Sequence, residues 1–420
     1  MYQRITLSNG LKIVCETIPY GRSVSLGVWT RTGSRNEKPQ YNGISHFIEH
    51  MMFKGTGRRT TRQIAETIDA VGGQLNAFTT KEYTCYYAKV LDQHFQLGVD
   101  LLADMVTNSL FHPVEIEKEK SVVLEEIKSY EDAPDELIYD IFFNLVLKGH
   151  ALGRTILGTP ETVSQFNREI LIDYLQKHYT PDNIVFAVAG NIQIDQVIAE
   201  VEGRFSALNG KSEPDLSILP QLEPTICFRD KDTEQVHLCI GSRGISRKDP
   251  RKYAVILMDS IFGGSVSSRL FQRLREDEGL VYSTGTSHSA FMDTGVFTIY
   301  AGTSMANFER VVALIREEIA KLRERPVDQE ELNRAKEQLK GNLLLSLEST
   351  CNRMSRLAKM ELFDDPLLTP EETVARIEAV TAEEVQALAV ELLADDRLIT
   401  TAIGPFGKAE ATHGGTKSKG

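Results

Sequence analysis

Two stretches of this chain match in order at an offset of 212 residues. VSLGVWTRTGSRNE begins at Val24 and VHLCIGSRGISRKD begins at Val236. Each reads as a strand, then a loop, then an apolar helix, so one structural unit is written twice. The repeat predicts two similar α+β domains, each on the order of 200 residues, a usual domain size. Each would be a mostly antiparallel sheet packed by helices.

The first copy reads clearly. Ile5 to Val14 forms strand with a turn at Ser8-Asn9-Gly10, and Ser23 to Thr30 forms a second strand. Helical periodicity runs from Ile44 to Lys54-Gly55, and again over Gln63 to Val71, which ends at Gly72-Gly73. Tyr83 to Val90 reads as a strand. Helices follow over Phe95 to Ser109 and over Pro113 to Tyr130, where proline occupies the first turn. Leu137 to Val146 and Ile170 to His178 are further helices, and Ile184 to Ala189 is a buried strand. Residues 209–224, NGKSEPDLSILPQLEP, concentrate Pro, Gly, Ser and charge and read as a linker. The expected plan is an N-terminal domain at 1–212, a C-terminal domain at 225–408 and a disordered polar tail at 409–420.

The copies differ in one helix. In the first it reads GISHFIEHMMFKG, with His46, Glu49 and His50 in an otherwise apolar run. In the second it reads VILMDSIFGGS, with no histidine. Leaving three such groups buried and unpaired would cost about 2 kcal/mol or more for each. Ligation of a metal relieves that cost. Residues i and i+4 of a helix share a face, so His46 and His50 can aim two imidazoles at one point. Glu49, beside His50, is close enough to take a proton from an attacking water without being a ligand. This HxxEH order inverts the HExxH zinc motif.

Catalytic zinc takes three protein ligands and keeps a fourth position open. The helix from Pro113 offers Glu115, Glu117, Glu119, Glu125, Glu126 and Glu131. Glu115, Glu117 and Glu131 are expected to face water. Glu119 and Glu126, two turns apart, lie on one face, and spacing does not choose among the rest.

Composition narrows the class. The chain has 41% hydrophobic and 25% charged residues, enough apolar content for a large core. Its 47 basic and 59 acidic residues leave a net charge of −12, which argues against nucleic-acid binding. Substrates that are neutral or cationic are compatible with it. Five scattered cysteines without a CxxC pair form neither a disulfide framework nor a thiolate zinc site, and fit a reducing compartment. The opening MYQRITLSNGLKIV reads as strand, so no signal or transit segment is expected, and no apolar run is long enough to span a membrane. The expected location is the cytoplasm of a bacterium.

HFIEHMMFKGT followed by EKSVVLEEI resembles the pitrilysin-type zinc peptidases, and within them the mitochondrial processing peptidase, its beta subunit above all, with its small bacterial relatives. GGQLNAFTTKEYTCYY, HYTPDNIVFAVAGNI and SSRLFQRLREDEGLVYS extend the resemblance over nearly the whole chain. It implies a zinc endopeptidase with one Zn²⁺ per chain. It assigns Glu126, 76 residues after His50, as the third ligand beside His46 and His50. Glu119 then matches a carboxylate that orients the site, and Asn76-Ala77-Phe78 matches a substrate-contacting stretch beside an edge strand. Arg275 and Tyr282 match a pair that binds substrate and stabilises the developing oxyanion.

The resemblance also implies half of a clamshell. Four such domains enclose a chamber, so two chains would pair as a homodimer, or as a heterodimer with an inactive homologue. Arg275 and Tyr282 would then serve the opposite subunit, and the enclosed space would select peptides or unfolded segments. Relatives that have lost the site serve as non-catalytic peptide-binding or core subunits. They lack ligands or the base, whereas this chain keeps His46, Glu49, His50 and Glu126. A structural zinc site would need a fourth ligand, and no Cys or His is placed to supply it.

Overall fold

The computed structural model describes residues 2–212 and 218–407. Part of the expected linker (213–217) and the expected tail at 409–420 fall outside the described residues. The chain forms two compact units, each with its own sheet.

The first sheet has six strands: β1 (Tyr2–Thr6), β2 (Lys12–Thr17), β3 (Ser23–Thr30), β4 (Gln74–Thr79), β5 (Thr84–Leu91) and β6 (Ile184–Gly190). Their order is β1-β2-β6-β3-β5-β4, antiparallel except between β2 and β6. Successive side chains of a strand point to opposite faces, and β3, SVSLGVWT, uses both. Val24, Leu26 and Val28 join the main core, where Leu26 meets Gly98 of helix α3 (Phe95–Asn108, numbered after α1, Ile44–Met51, and α2, Thr61–Asp69). Ser25, Gly27 and Trp29 face the other way, toward the helix Thr350–Leu362. There Ser25 and Thr350 hydroxyls lie 2.9 Å apart, and Trp29 Nε1 donates to Met354 Sδ at 3.2 Å. A side chain at Gly27 would sit 3.3 Å from Met354 Sδ and 2.9 Å from Trp29 Nε1, so glycine permits the close approach.

The second sheet holds β7 (Ile226–Asp230), β8 (Val236–Gly244), β9 (Val281–Ala290), β10 (Gly295–Thr303) and β11 (Ile399–Gly404). Its order is β7-β11-β8-β10-β9, parallel only between β7 and β11. Leu238 and Ile240 of β8 enter one core, while Cys239 enters another with Phe142 and Phe143 of helix α5 (Pro134–Val146, after α4, Pro113–Glu131).

The units therefore differ from two consecutive halves. Unit one consists of Met1–Lys128, Arg154–Ser217 and Leu344–Leu367, and unit two of Ser129–Gly153, Ile218–Leu343 and Leu368–Gly420. The first sheet takes the helix Thr350–Leu362 from the second half of the chain, and the second sheet takes α5 from the first. A break read at 209–224 does not contain this exchange, because an amphipathic helix shows its apolar face and not its partner. Among the described residues no helix is long and apolar enough to cross a membrane.

Candidate metal centre

Helix α1 buries Ile44, Phe47, Ile48 and Met51 completely, which leaves His46, Glu49 and His50 on its other side. Gly43 starts the helix at φ +93°, and a Cβ there would stand 2.6 Å from the Leu157 carbonyl oxygen. Glycine brings no capping side chain, and the buried carboxylate of Glu37 supplies that function from outside. It accepts hydrogen bonds from Gly43 N at 2.8 Å, Ser45 N at 2.9 Å and Asn42 Nδ2 at 3.0 Å. An anion at a helix N-terminus satisfies free N–H groups and opposes the helix dipole. Burial raises the Glu37 pKa, and these donors offset only part of it. Sequence reasoning did not single out Glu37. Its one signal was a glutamate a few residues before a helix that starts on glycine.

Helix α4 brings in the carboxylates. Ile116, Glu119, Val123 and Ile127 form its buried stripe, and Glu126 lies at the stripe's margin. Glu115, Glu117 and Glu125 instead pair with Lys118, Lys120 and Lys128 on the surface. Glu131 pairs with Arg229 within unit two.

The three candidate ligands converge. His46 Nε2 lies 3.7 Å from one Glu126 oxygen, and His50 Nε2 lies 3.7 Å from the other. One ligand atom from each of His46, His50 and Glu126 falls within 4.8 Å of the other two. The imidazoles stack edgewise with centroids 4.5 Å apart, as expected at i and i+4.

Protonation suits ligation at His46. Burial, reinforced by the neighbouring His50, pushes the His46 pKa down to about 3, so that ring is neutral near pH 7. Among the described residues its buried Nδ1 has no hydrogen-bond partner. For His50, burial opposes the charge, but Glu119 outweighs it with help from Glu126 and Glu49, and the pKa rises. His50 Nδ1–H donates to Glu119 at 2.8 Å, and in the neutral ring this tautomer leaves the Nε2 lone pair for a metal. Glu119 is buried. Burial would raise its pKa, yet His50 and Lys54 hold it below the ordinary value, with Lys54 Nζ at 2.6 Å. Two imidazoles and one carboxylate, oriented in this way, are the donor set of a zinc site with an open position. Lys54 was also missed by sequence reasoning, although it ends the same motif.

Glu49 is mostly buried, which raises its pKa; the Thr79 hydroxyl partly opposes this by donating to Oε2 at 2.5 Å. Thr79 ends β4, the outermost strand of the first sheet. Here the structure corrects the reading of Asn76-Ala77-Phe78: these residues form the edge strand itself. Asn76 is exposed, and Phe78 packs edge-on against Trp29 with centroids 5.7 Å apart. A groove of about 530 Å³ runs beside β4, lined by Phe53, Ile64, Ile68, Leu75, Asn76 and Tyr87 among others.

Arg275 and Tyr282 belong to unit two. Arg275 lies in a π-helical turn, Phe271–Asp277, and Tyr282 is in β9. The guanidinium sits 5.2 Å from the Tyr282 ring centroid and 5.0 Å from that of Phe271, and Tyr282 is 75% exposed.

The zinc protease YmxG of Bacillus subtilis, described as uncharacterized, is 46% identical over 407 residues, 97% of this chain and 99% of that protein. This chain belongs to the M16 peptidase family. The family model described as insulinase (peptidase family M16) matches residues 12–160, and that of the M16 inactive domain matches 165–339. Another relative, an uncharacterized zinc protease of Streptomyces coelicolor, is 38% identical over 418 residues, 98% of this chain and 91% of that protein. A solved protease from Helicobacter pylori superposes with TM-score 0.89 at 22% identity, over 96% of this chain and 99% of that one. An M16 inactive-domain protein from Pseudomonas fluorescens gives 0.91 at 20%, over 96% and 98%. At those identities the likeness speaks for the M16 fold. The HxxEH motif falls within the first family match.

Proposed function

We propose that this M16 chain is a zinc endopeptidase that cleaves peptides or unfolded segments. The observation that carries the reading is the convergence of His46, His50 and Glu126 within 4.8 Å, with Glu49 on the same helix as the two histidines. Those three residues would hold one zinc ion per chain. Bound there, zinc would act as a Lewis acid that acidifies water and polarises the scissile carbonyl.

Each residue of the chain then has a task. Glu49 takes the proton of the attacking water and passes it to the leaving amine. Glu119, held by Lys54, orients the His50 ring. The backbone of Asn76, Ala77 and Phe78 adds an extended substrate to the free edge of β4. Arg275 and Tyr282 offer a cation and a phenol to the charge developing on the substrate oxygen. Two copies of the chain enclose the substrate, and Arg275 and Tyr282 act on the zinc site of the partner copy. All five cysteines are free, in keeping with the bacterial cytoplasm as the working compartment.

Metal analysis combined with cleavage of a quenched peptide library tests the reading. Glu49→Gln should retain zinc and lose activity, whereas His50→Ala should lose both. Cleavage by Glu49→Gln at the normal rate would remove Glu49 as the base. Mixing Arg275→Ala chains with Glu49→Gln chains should restore part of the activity, because one mixed site keeps both groups. Mixed dimers without recovered activity would refute action across the dimer.

A further inference from the structure

Thr79 stands where two parts of the first unit meet. It is the last residue of β4 and pairs in register with Thr84 of β5. The hairpin closes just beyond it, where Thr80 N donates to Tyr83 O at 2.8 Å. Thr84 is itself anchored, with its hydroxyl donating to Thr32 O at 2.9 Å. The Thr79 hydroxyl therefore projects from a fixed backbone, and a β-branched side chain has few χ1 states to choose from. That hydroxyl donates to Glu49 Oε2 at 2.5 Å, and among the described residues the other carboxylate oxygen accepts no hydrogen bond. A glutamate has three rotatable bonds, so what holds its carboxylate decides where a base aims.

We infer that Thr79 is a positioning residue for Glu49, tying the proton-accepting carboxylate to the strand on which the peptide is ordered. The inference rests on the reading of Glu49 as the base. One oxygen is pinned by Thr79 and the other is left to take the proton. A peptide added to β4 is registered on the same strand that holds the base, so substrate alignment and base alignment share one reference. The simpler alternative is that Thr79 only satisfies a buried carboxylate. It would then matter for stability and not for turnover.

The two alternatives separate in the kinetics of the full-length zinc-loaded enzyme. Thr79→Val removes the hydroxyl and keeps the shape, and Thr79→Ser keeps the hydroxyl. For Thr79→Val, kcat on a quenched peptide should fall about 10²-fold, the scale of a misplaced catalytic group. KM and the zinc Kd, measured by chelator competition, should stay within about twofold. Thr79→Ser should keep kcat within about fivefold of the parent. Thr79→Ala removes the same hydroxyl from a smaller side chain and is read in the same way if the valine variant folds poorly. A Thr79→Val enzyme with parental kcat, alongside inactive Glu49→Gln, would overturn the inference and leave the proposed function standing. So would a serine variant as slow as the valine one, or a loss of kcat matched by loss of zinc. Full activity of Glu49→Gln would overturn the proposed function and this inference together.

Discussion

Helix α1 and the helix Lys252–Phe262 occupy the same place in the two repeats and hold opposite chemistry. At the 212-residue offset, His46, Glu49 and His50 correspond to Met258, Ile261 and Phe262, which are at most 3% exposed. The supporting helices follow the same rule. Glu119 and Glu126 of α4 correspond to Glu331 and Gln338 of the helix Gln329–Ser346. Gln338 accepts a hydrogen bond from Ser260 at 3.0 Å, and Glu331 forms a two-pronged pair with Arg269. At these positions unit one thus carries five titratable groups, whereas unit two keeps only Glu331, which Arg269 pairs. Packing does not require those groups. Their presence in unit one is a cost that function must explain.

Substitutions that make one unit resemble the other sharpen the contrast. The largest effect is expected from Glu126→Gln, which copies Gln338 into unit one. Zinc affinity should drop by more than the roughly 10- to 100-fold typical of losing an orienting partner, and peptidase activity should go with it. Chelator competition and a peptide assay measure both. If zinc affinity is retained, Glu126 is not a ligand.

Next is Asp259, which stands in unit two at the position of the core residue Phe47. Burial pushes its carboxyl up to about 6, against a Thr286 hydroxyl that lowers it, and among the described residues its Oδ1 has no hydrogen-bond partner. A raised folded-state pKa means that this carboxyl's contribution to stability is complete below its ordinary 3.8 and is lost as pH rises through about 6. Asp259→Asn should therefore stabilise the protein by about 3 kcal/mol at pH 7.5, and the gain should nearly vanish by pH 4. Thermal denaturation at the two pH values decides it. An equal gain at both would show that the carboxyl's charge is not the cause.

The smallest expected effect is that of Lys54→Met. It frees one oxygen of Glu119 while leaving all three ligands, and zinc affinity should weaken by up to about tenfold. Unchanged affinity would show that His50 alone holds Glu119.

Much of this was legible in the sequence, and what was not has physical reasons. Ser23–Thr30 is a strand with the bounds that alternation and β-branched residues predict. Helices α1 and α3 start at the residues where periodicity begins. β4 was harder to see, because QLNAFT carries Asn and Ala instead of a β-branched run and follows two glycines. The two histidines announced themselves through helical spacing, a local signal. The third ligand did not, because α4 presents several glutamates and only resemblance selected Glu126. Glu37, Lys54 and Thr79 escaped notice for a further reason. Each acts through a hydrogen bond to a residue whose role has to be known first.

The exchange of helices sets a timetable for synthesis. The ribosome emits chains from the N-terminus, and domains fold as their segments appear. His46, His50 and Glu126 emerge early, but the helix that covers Trp29 and Gly27 begins only at Thr350. Until then the face of the first sheet that carries Ser25, Gly27 and Trp29 lacks this cover. A nascent or truncated chain can carry every candidate ligand and still lack the wall that holds their sheet, so the same sequence that writes the candidate site early delays its completion until nearly the whole chain exists.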